Sequence, residues 1–204
     1  FKDFYVNEIE IADDCFARGQ LLSKSWIIQE LSKLDLNFGT IFLCAGWYGT
    51  LATMLFENDF KINKIRSFDI DETCWKIAES INKPWVMDEW KFKASTQDIH
   101  KINFAEYTYK TLRSNGTERE LFDKPNTIIN TSCEHIENWS KWWSSIPNGK
   151  LCILQSNDYK ELPEHINCVN DVEHFKSIAP MTNYLYGGEL ILGKYTRYML
   201  IGIK

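Results

Sequence analysis

Short apolar runs alternate with stretches of helical spacing along most of this chain, and few folds accommodate that rhythm. Thr40-Ile41-Phe42-Leu43-Cys44 has no polar alternation, which is how a strand buried on both faces reads. Lys64 to Ile70, Trp90 to Ala94, Asn126 to Thr131 and Lys150 to Gln155 supply further strand candidates. Between them Leu51, Ala52, Met54 and Leu55 open one helix, Glu72 to Ile81 forms another, and Glu134 to Ile146 a Trp-rich third. Strands separated by helices need crossover connections, so the pattern predicts a parallel sheet with helices on both faces.

The two ends depart from this rhythm. From about Ile9 to Leu34, Phe16, Leu21, Leu22, Trp26, Ile27, Leu31 and Leu34 recur at helical intervals, with Gly19 a candidate break and Asn37-Phe38-Gly39 a turn. Ser114-Asn115-Gly116 reads as a surface loop. At the far end Tyr184 to Leu192 and Thr196 to Ile203 are strand-like, joined only by Gly193-Lys194-Tyr195. So short a link forbids a crossover and predicts an antiparallel hairpin. The expected architecture is one α/β domain over residues 1–204: a three-layer α/β/α sandwich whose seven-stranded, mostly parallel sheet ends in that hairpin. Residues 1–38 are expected to form a helical lid or substrate segment.

Charge and cysteine usage narrow the partners. A net charge of −5 opposes binding nucleic acid through the overall field and favours a small-molecule or protein acceptor. No apolar run reaches the roughly 18 residues that a membrane helix needs. The segment FKDFYVNEIEIADD carries acids where a secretory leader carries positive charge. The six cysteines are scattered without a CxxC pair, so a reducing, cytoplasmic setting is expected. No Cys/His set has metal spacing, and His165 and Cys168 stand alone, which predicts no bound metal. The helical spacing of Trp139, Trp142 and Trp143 predicts core or interface packing.

Two segments carry the first hints of chemistry. Ala45-Gly46-Trp47-Tyr48-Gly49-Thr50 follows the first strand, and a glycine-bearing turn before a helix lets a ligand approach backbone N–H groups. Ser67-Phe68-Asp69-Ile70-Asp71 ends the next strand, about 20 residues after Gly49, where an acid of a nucleotide-binding unit meets ribose hydroxyls. Asp69 is the ribose candidate, and Asp71 the candidate cap of the following helix.

The string Phe68-Asp69-Ile70-Asp71-Glu72-Thr73-Cys74-Trp75-Lys76-Ile77-Ala78 resembles the second motif of class I S-adenosylmethionine (SAM)-dependent methyltransferases. The turn from Ala45 to Thr50 is similar to that family's glycine-rich first motif, with Ala45 and Trp47 where glycines are usual and no acid near Leu43. Gln97-Asp98-Ile99 resembles the segment whose acid bonds the adenine amino group. Asn130-Thr131-Ser132-Cys133-Glu134-His135-Ile136 looks like the family's E-H motif at the mouth of the active site. Ile146-Pro147-Asn148-Gly149-Lys150-Leu151 and the final hairpin continue the same order to Lys204.

The resemblance implies SAM as cofactor, held by Ala45, Gly46, Trp47, Gly49, Asp69, Ile70, Asp98, Ile99, Thr131 and Ser132. It implies an acceptor site near Gln20, Lys24 and Trp26, and His135 with Glu134 as catalytic candidates. The activated sulfonium methyl needs mainly positioning, and a base only when the acceptor keeps its proton. His135 fits that role but also fits a structural histidine, and Glu134 fits a helix N-terminal acid. Cys133 lacks an activating pattern for a nucleophile. No D/N-P-P-Y string follows the fourth strand, so the family's signature for methylating adenine or glutamine amino groups is absent. Other readings stay open: SAM chemistry other than methyl transfer, a catalytically silent scaffold subunit or homo-oligomer, and a nicotinamide dehydrogenase, which lacks its G-x-G-x-x-G here.

Overall fold

A computed structural model describes residues 5–6, 9–112 and 116–204. Its strands are β1 (Tyr5–Val6), β2 (Ile9–Glu10), β3 (Asn37–Cys44), β4 (Lys61–Asp69), β5 (Phe92–Thr96), β6 (Tyr107–Leu112), β7 (Glu118–Asp123), β8 (Thr127–Asn130), β9 (Leu151–Asn157), β10 (Asn183–Ile191) and β11 (Thr196–Ile203). Its helices are α1 (Arg18–Leu31), α2 (Thr50–Phe56), α3 (Cys74–Ile81), α4 (Lys83–Met87), α5 (Trp139–Ser145) and α6 (Val172–Ile178). The main sheet has seven strands in the order β10-β11-β9-β8-β3-β4-β5. β9, β8, β3, β4 and β5 run parallel, and β11 pairs antiparallel with both β9 and β10.

The strands divide their side chains between two apolar layers with the two-residue period of a pleated sheet. Phe42, Cys44, Phe68, Ile128, Leu154 and Leu200 face α5, α6 and the 99–104 segment, including Trp142 and Phe175. Ile41, Leu43, Ile65, Ile129, Ile153 and Ile201 face the other way, against Trp26, Ile27 and Leu31 of α1 and Leu51 and Leu55 of α2. The result is the expected α/β/α sandwich. Trp139, Trp142 and Trp143 are all buried, so the Trp-rich helix is core. α1 is also pinned by polar contacts: Ser23 Oγ donates to Gln155 Oε1 at 2.7 Å, and Gln155 Nε2 returns a bond to the Ser23 carbonyl.

Several local expectations are corrected. Gly19 lies inside α1, and the break falls at Ala17, whose extended backbone (φ −57°, ψ 148°) precedes the helix. Asn37 to Gly39 is part of β3, where left-handed Gly39 shifts the register instead of turning the chain. Trp90 is itself left-handed, so β5 starts only at Phe92. The helix expected over 134–146 is cut to α5 because left-handed Asn138 interrupts it, leaving a 3-10 turn at Cys133–His135. Of the expected surface loop, Ser114 and Asn115 lie outside the described residues, and Gly116 is exposed. The loop's flanks form the β6–β7 hairpin, which the sequence reading does not contain. Asp123 ties that hairpin to the sheet: its carboxylate accepts from Arg66 Nε at 2.6 Å and from the Tyr109 hydroxyl at 2.9 Å.

Candidate functional site

The carboxyl ends of β3, β4, β5 and β8 open on one cavity of about 600 Å³. It lies where the chain order reverses across the sheet, with β4 on one side of β3 and β8 on the other. Open α/β sheets take ligands in that crevice.

The turn after β3 shapes the floor. Gly46 donates its N–H to the Phe68 carbonyl at 3.0 Å, and a Cβ there would collide with Ser67 Oγ of β4. Gly49 (φ +70°) starts α2 beneath Asn82, whose Nδ2 would lie 2.7 Å from an added Cβ. Both glycines serve close packing of the turn on its neighbours and do not line the cavity. Ala45 and Trp47 do line it, and both hold left-handed backbone (φ +50° and +47°). Trp47 stacks on Tyr48 with ring centroids 4.9 Å apart.

From β4 comes Asp69. Its Oδ2 accepts the Trp47 N–H at 2.8 Å and its Oδ1 the Asp71 N–H at 3.1 Å. Burial raises its pKa above the ordinary 3.8, partly opposed by those backbone donors. Ile70 beside it is 74% exposed although it lines the cavity. The Asp71 carboxylate accepts the Thr73 N–H and hydroxyl, both at 2.8 Å, at the entrance of α3. After β5, Asp98 accepts the His100 N–H at 2.9 Å and starts a 3-10 turn that carries Ile99. Ser132, His135, Ile136 and Glu137 close the side beyond β8, and Asp14 and Gln20 reach over from the N-terminal segment.

No protein-family model and no curated protein sequence matches the chain. Solved structures do. Magnesium protoporphyrin IX methyltransferase from Synechocystis PCC 6803, with bound S-adenosylhomocysteine, superposes with a TM-score of 0.61 at 13% identity, covering 91% of this chain and 84% of that one. The N-methyltransferase NodS from Bradyrhizobium japonicum WM9, also with S-adenosylhomocysteine, gives 0.63 at 10% identity over 94% and 93%. The [4+2]-cyclase SpnF gives 0.64 at 9% identity over 94% and 85%. This is the class I methyltransferase fold.

On the methyltransferase fold, Ala45, Trp47, Asp69, Ile70, Asp98, Ile99, Ser132, His135 and Gln20 converge as cavity lining although the sequence scatters them. The remaining candidates are placed elsewhere. The Thr131 carbonyl accepts from Arg197 Nη1 at 2.9 Å. Trp26 meets Tyr186 edge-on across the opposite apolar layer. Lys24 is buried and donates to Gln20 Oε1 at 2.7 Å, and its pKa is lowered to about 8, first by burial and then by Arg197. Glu134 is buried behind the cavity, where Oε1 accepts from Asn157 Nδ2 at 2.7 Å and pairs with Arg197 Nη2 at 3.3 Å. The Cys133 thiol is fully enclosed, and burial pushes its pKa well above 9.0, which removes it as a nucleophile.

Asp14, Gln97, His100, Ile136 and Glu137 line the cavity without having been candidates. Gln97 and His100 flank Asp98 in sequence, which was the available signal; Asp14 offered none. One expectation is overturned. His165 does not stand alone: its ring meets that of His135 at 4.6 Å between centroids, and ligand atoms of Glu134, His135 and His165 lie within 4.8 Å of one another.

Proposed function

We propose that this chain is a SAM-dependent methyltransferase acting on a small-molecule or protein acceptor. The observation that carries the reading is Asp69, a carboxylate fixed by two backbone N–H groups at the end of β4 while it lines the cavity. A carboxylate has about four lone-pair sites, so two remain for ribose hydroxyls. Exposed Ile70 supports the same reading, since an apolar side chain beside that acid suits the face of a planar base. Ile99 supplies a second apolar surface and Asp98 an acceptor for an exocyclic amino group. The Ala45–Trp47 turn and Ser132 would flank the methionine end. SAM supplies a methyl group already activated on sulfur. The protein's task is to orient the acceptor, exclude water and, at His135, receive a proton where the acceptor holds one.

A second reading has its own observation. Trp47 stands at the cavity where a glycine is usual, which would displace the methionine tail and expose a different carbon, and SpnF shows that a protein of this fold carries a cyclase's name. Calorimetric titration with SAM, S-adenosylhomocysteine and NAD tests both. Selective binding of the first two is expected; product analysis after incubation of SAM with candidate acceptors then separates the readings, with S-adenosylhomocysteine expected from methyl transfer and methylthioadenosine favouring the second. No binding of either sulfur compound at saturating concentration would sink both.

A further inference from the structure

We propose that Glu134, His135 and His165 form a binding site for one divalent transition-metal ion at the rim of the cavity. The three residues come from two loops, one after β8 and one after β9, and offer ligand atoms within 4.8 Å of one another. Ligands around one ion at about 2.0–2.2 Å stand roughly 3–3.6 Å apart, so a small inward adjustment completes the set.

Each side chain is prepared for the task by what it already bonds. His135 Nδ1 lies 3.2 Å from the Glu164 carbonyl, and His165 Nδ1 lies 2.6 Å from the Tyr159 carbonyl. A carbonyl only accepts, so both rings carry the proton on Nδ1 and present the Nε2 lone pair. Fixing a ligating imidazole through its other nitrogen is how metal sites orient histidine. Glu134 contributes the independent observation. Its side chain is 2% exposed, and Oε2 is buried with no hydrogen-bond partner, while Oε1 is occupied by Arg197 and Asn157. An unpartnered buried carboxylate oxygen is costly and needs an explanation. A cation shared with two imidazoles supplies one.

Asn167 holds the two loops together. Its backbone N–H donates to the Glu134 carbonyl at 2.9 Å, and its side-chain amide donates to the Ile136 carbonyl. Two imidazole nitrogens and one carboxylate oxygen suit zinc, iron or manganese better than magnesium or calcium, which take oxygen donors. Three protein ligands leave at least one position open, as in catalytic sites. His135 lines the cavity, so an ion held by these residues would lie at its rim, beside the space assigned to the acceptor. With the ion bound, His135 would be a ligand and no longer the proton acceptor; the further step, that an acceptor oxygen occupies the open position and loses its proton there, rests on the methyltransferase reading.

The test uses the tag-free chain, stripped with a chelator and titrated with cobalt(II) and zinc(II). One ion per chain is expected, with a visible cobalt d–d band that shifts when azide enters the open position. His135→Ala and His165→Ala should each weaken binding at least tenfold. No saturable binding, or unchanged affinity in the His135→Ala/His165→Ala double variant, overturns the site; an azide-insensitive band overturns the open position. SAM titration of the same samples separates the two ideas. Metal bound through these histidines without SAM binding keeps the site and removes the methyltransferase reading, and SAM binding without metal does the reverse.

Discussion

Asp69 Oδ2 accepts the backbone N–H of Trp47 at 2.8 Å, so the acid that ends β4 is tied to the turn that follows β3. One carboxylate thereby fixes the wall and the floor of the cavity relative to each other. Because burial raises its pKa above 3.8, Asp69 contributes stability that is present below that value and lost as pH rises through the folded pKa. The fold therefore bears a cost for keeping it ionised at neutral pH.

Replacing it should separate stability from binding. Asp69→Asn removes the buried charge, so the ligand-free variant is expected to melt no lower than the parent at pH 7. Its affinity for SAM should fall at least tenfold, as hydrogen bonds to a charged group contribute about 1.5–3 kcal/mol. In the parent, SAM affinity should decline in acid starting at higher pH than an ordinary aspartate would dictate. Melting curves and calorimetry across pH check all three. A variant that binds SAM as well as the parent removes Asp69 from the site.

The parallel strands were legible because apolar runs such as Ile41-Phe42-Leu43 must be buried on both faces, and the short Gly193-Lys194-Tyr195 link left the last two strands no choice but to pair. The β6–β7 hairpin was not, because β7 opens with the charged, exposed run Glu118-Arg119-Glu120 and shows no strand-like apolar run there. At the site, strand-end residues such as Asp69 were legible, since their position follows from topology. For Gly46 and Gly49, read as ligand-binding, the structure adds packing against Ser67 and Asn82, which no local pattern displays. The approach of His165 to Glu134 and His135 depends on how two loops close over each other, and no local pattern encodes that.

Ala45 tests the strain in the floor. It holds φ +50°, a region that costs a non-glycine residue about 1–2 kcal/mol, while glycine loses roughly 0.5–1 kcal/mol through its greater freedom when unfolded. Ala45→Gly is therefore expected to stabilise the chain by about 0.5 kcal/mol, a rise of roughly 1–2 °C in Tm. Ala45→Val should move Tm the other way, since a β-branched side chain fits that backbone worse. Differential scanning calorimetry resolves both, and a lower Tm for the glycine variant would show that the left-handed turn is not strained.

Lys24 carries a larger cost. Burial, with Arg197 adding repulsion, lowers its pKa from 10.5 to about 8. A depressed folded pKa means that the stability of the neutral form is present above 10.5 and is lost as pH falls through 8. Below pH 8 the chain holds a buried ammonium whose hydrogen bond goes to Gln20, a residue of the cavity wall. At about 1.4 kcal/mol per unit, the penalty is on the order of 3 kcal/mol. Lys24→Met should recover about 2 kcal/mol of it at pH 7, and the gain should shrink as pH rises from 8 towards 10.5. Urea unfolding at pH 7 and pH 10 measures the difference directly. If Lys24 also orients the acceptor through Gln20, the same variant should raise KM for the acceptor while leaving SAM affinity intact. A variant that is stabilised with an unchanged KM would mark the lysine as a burden without a ligand.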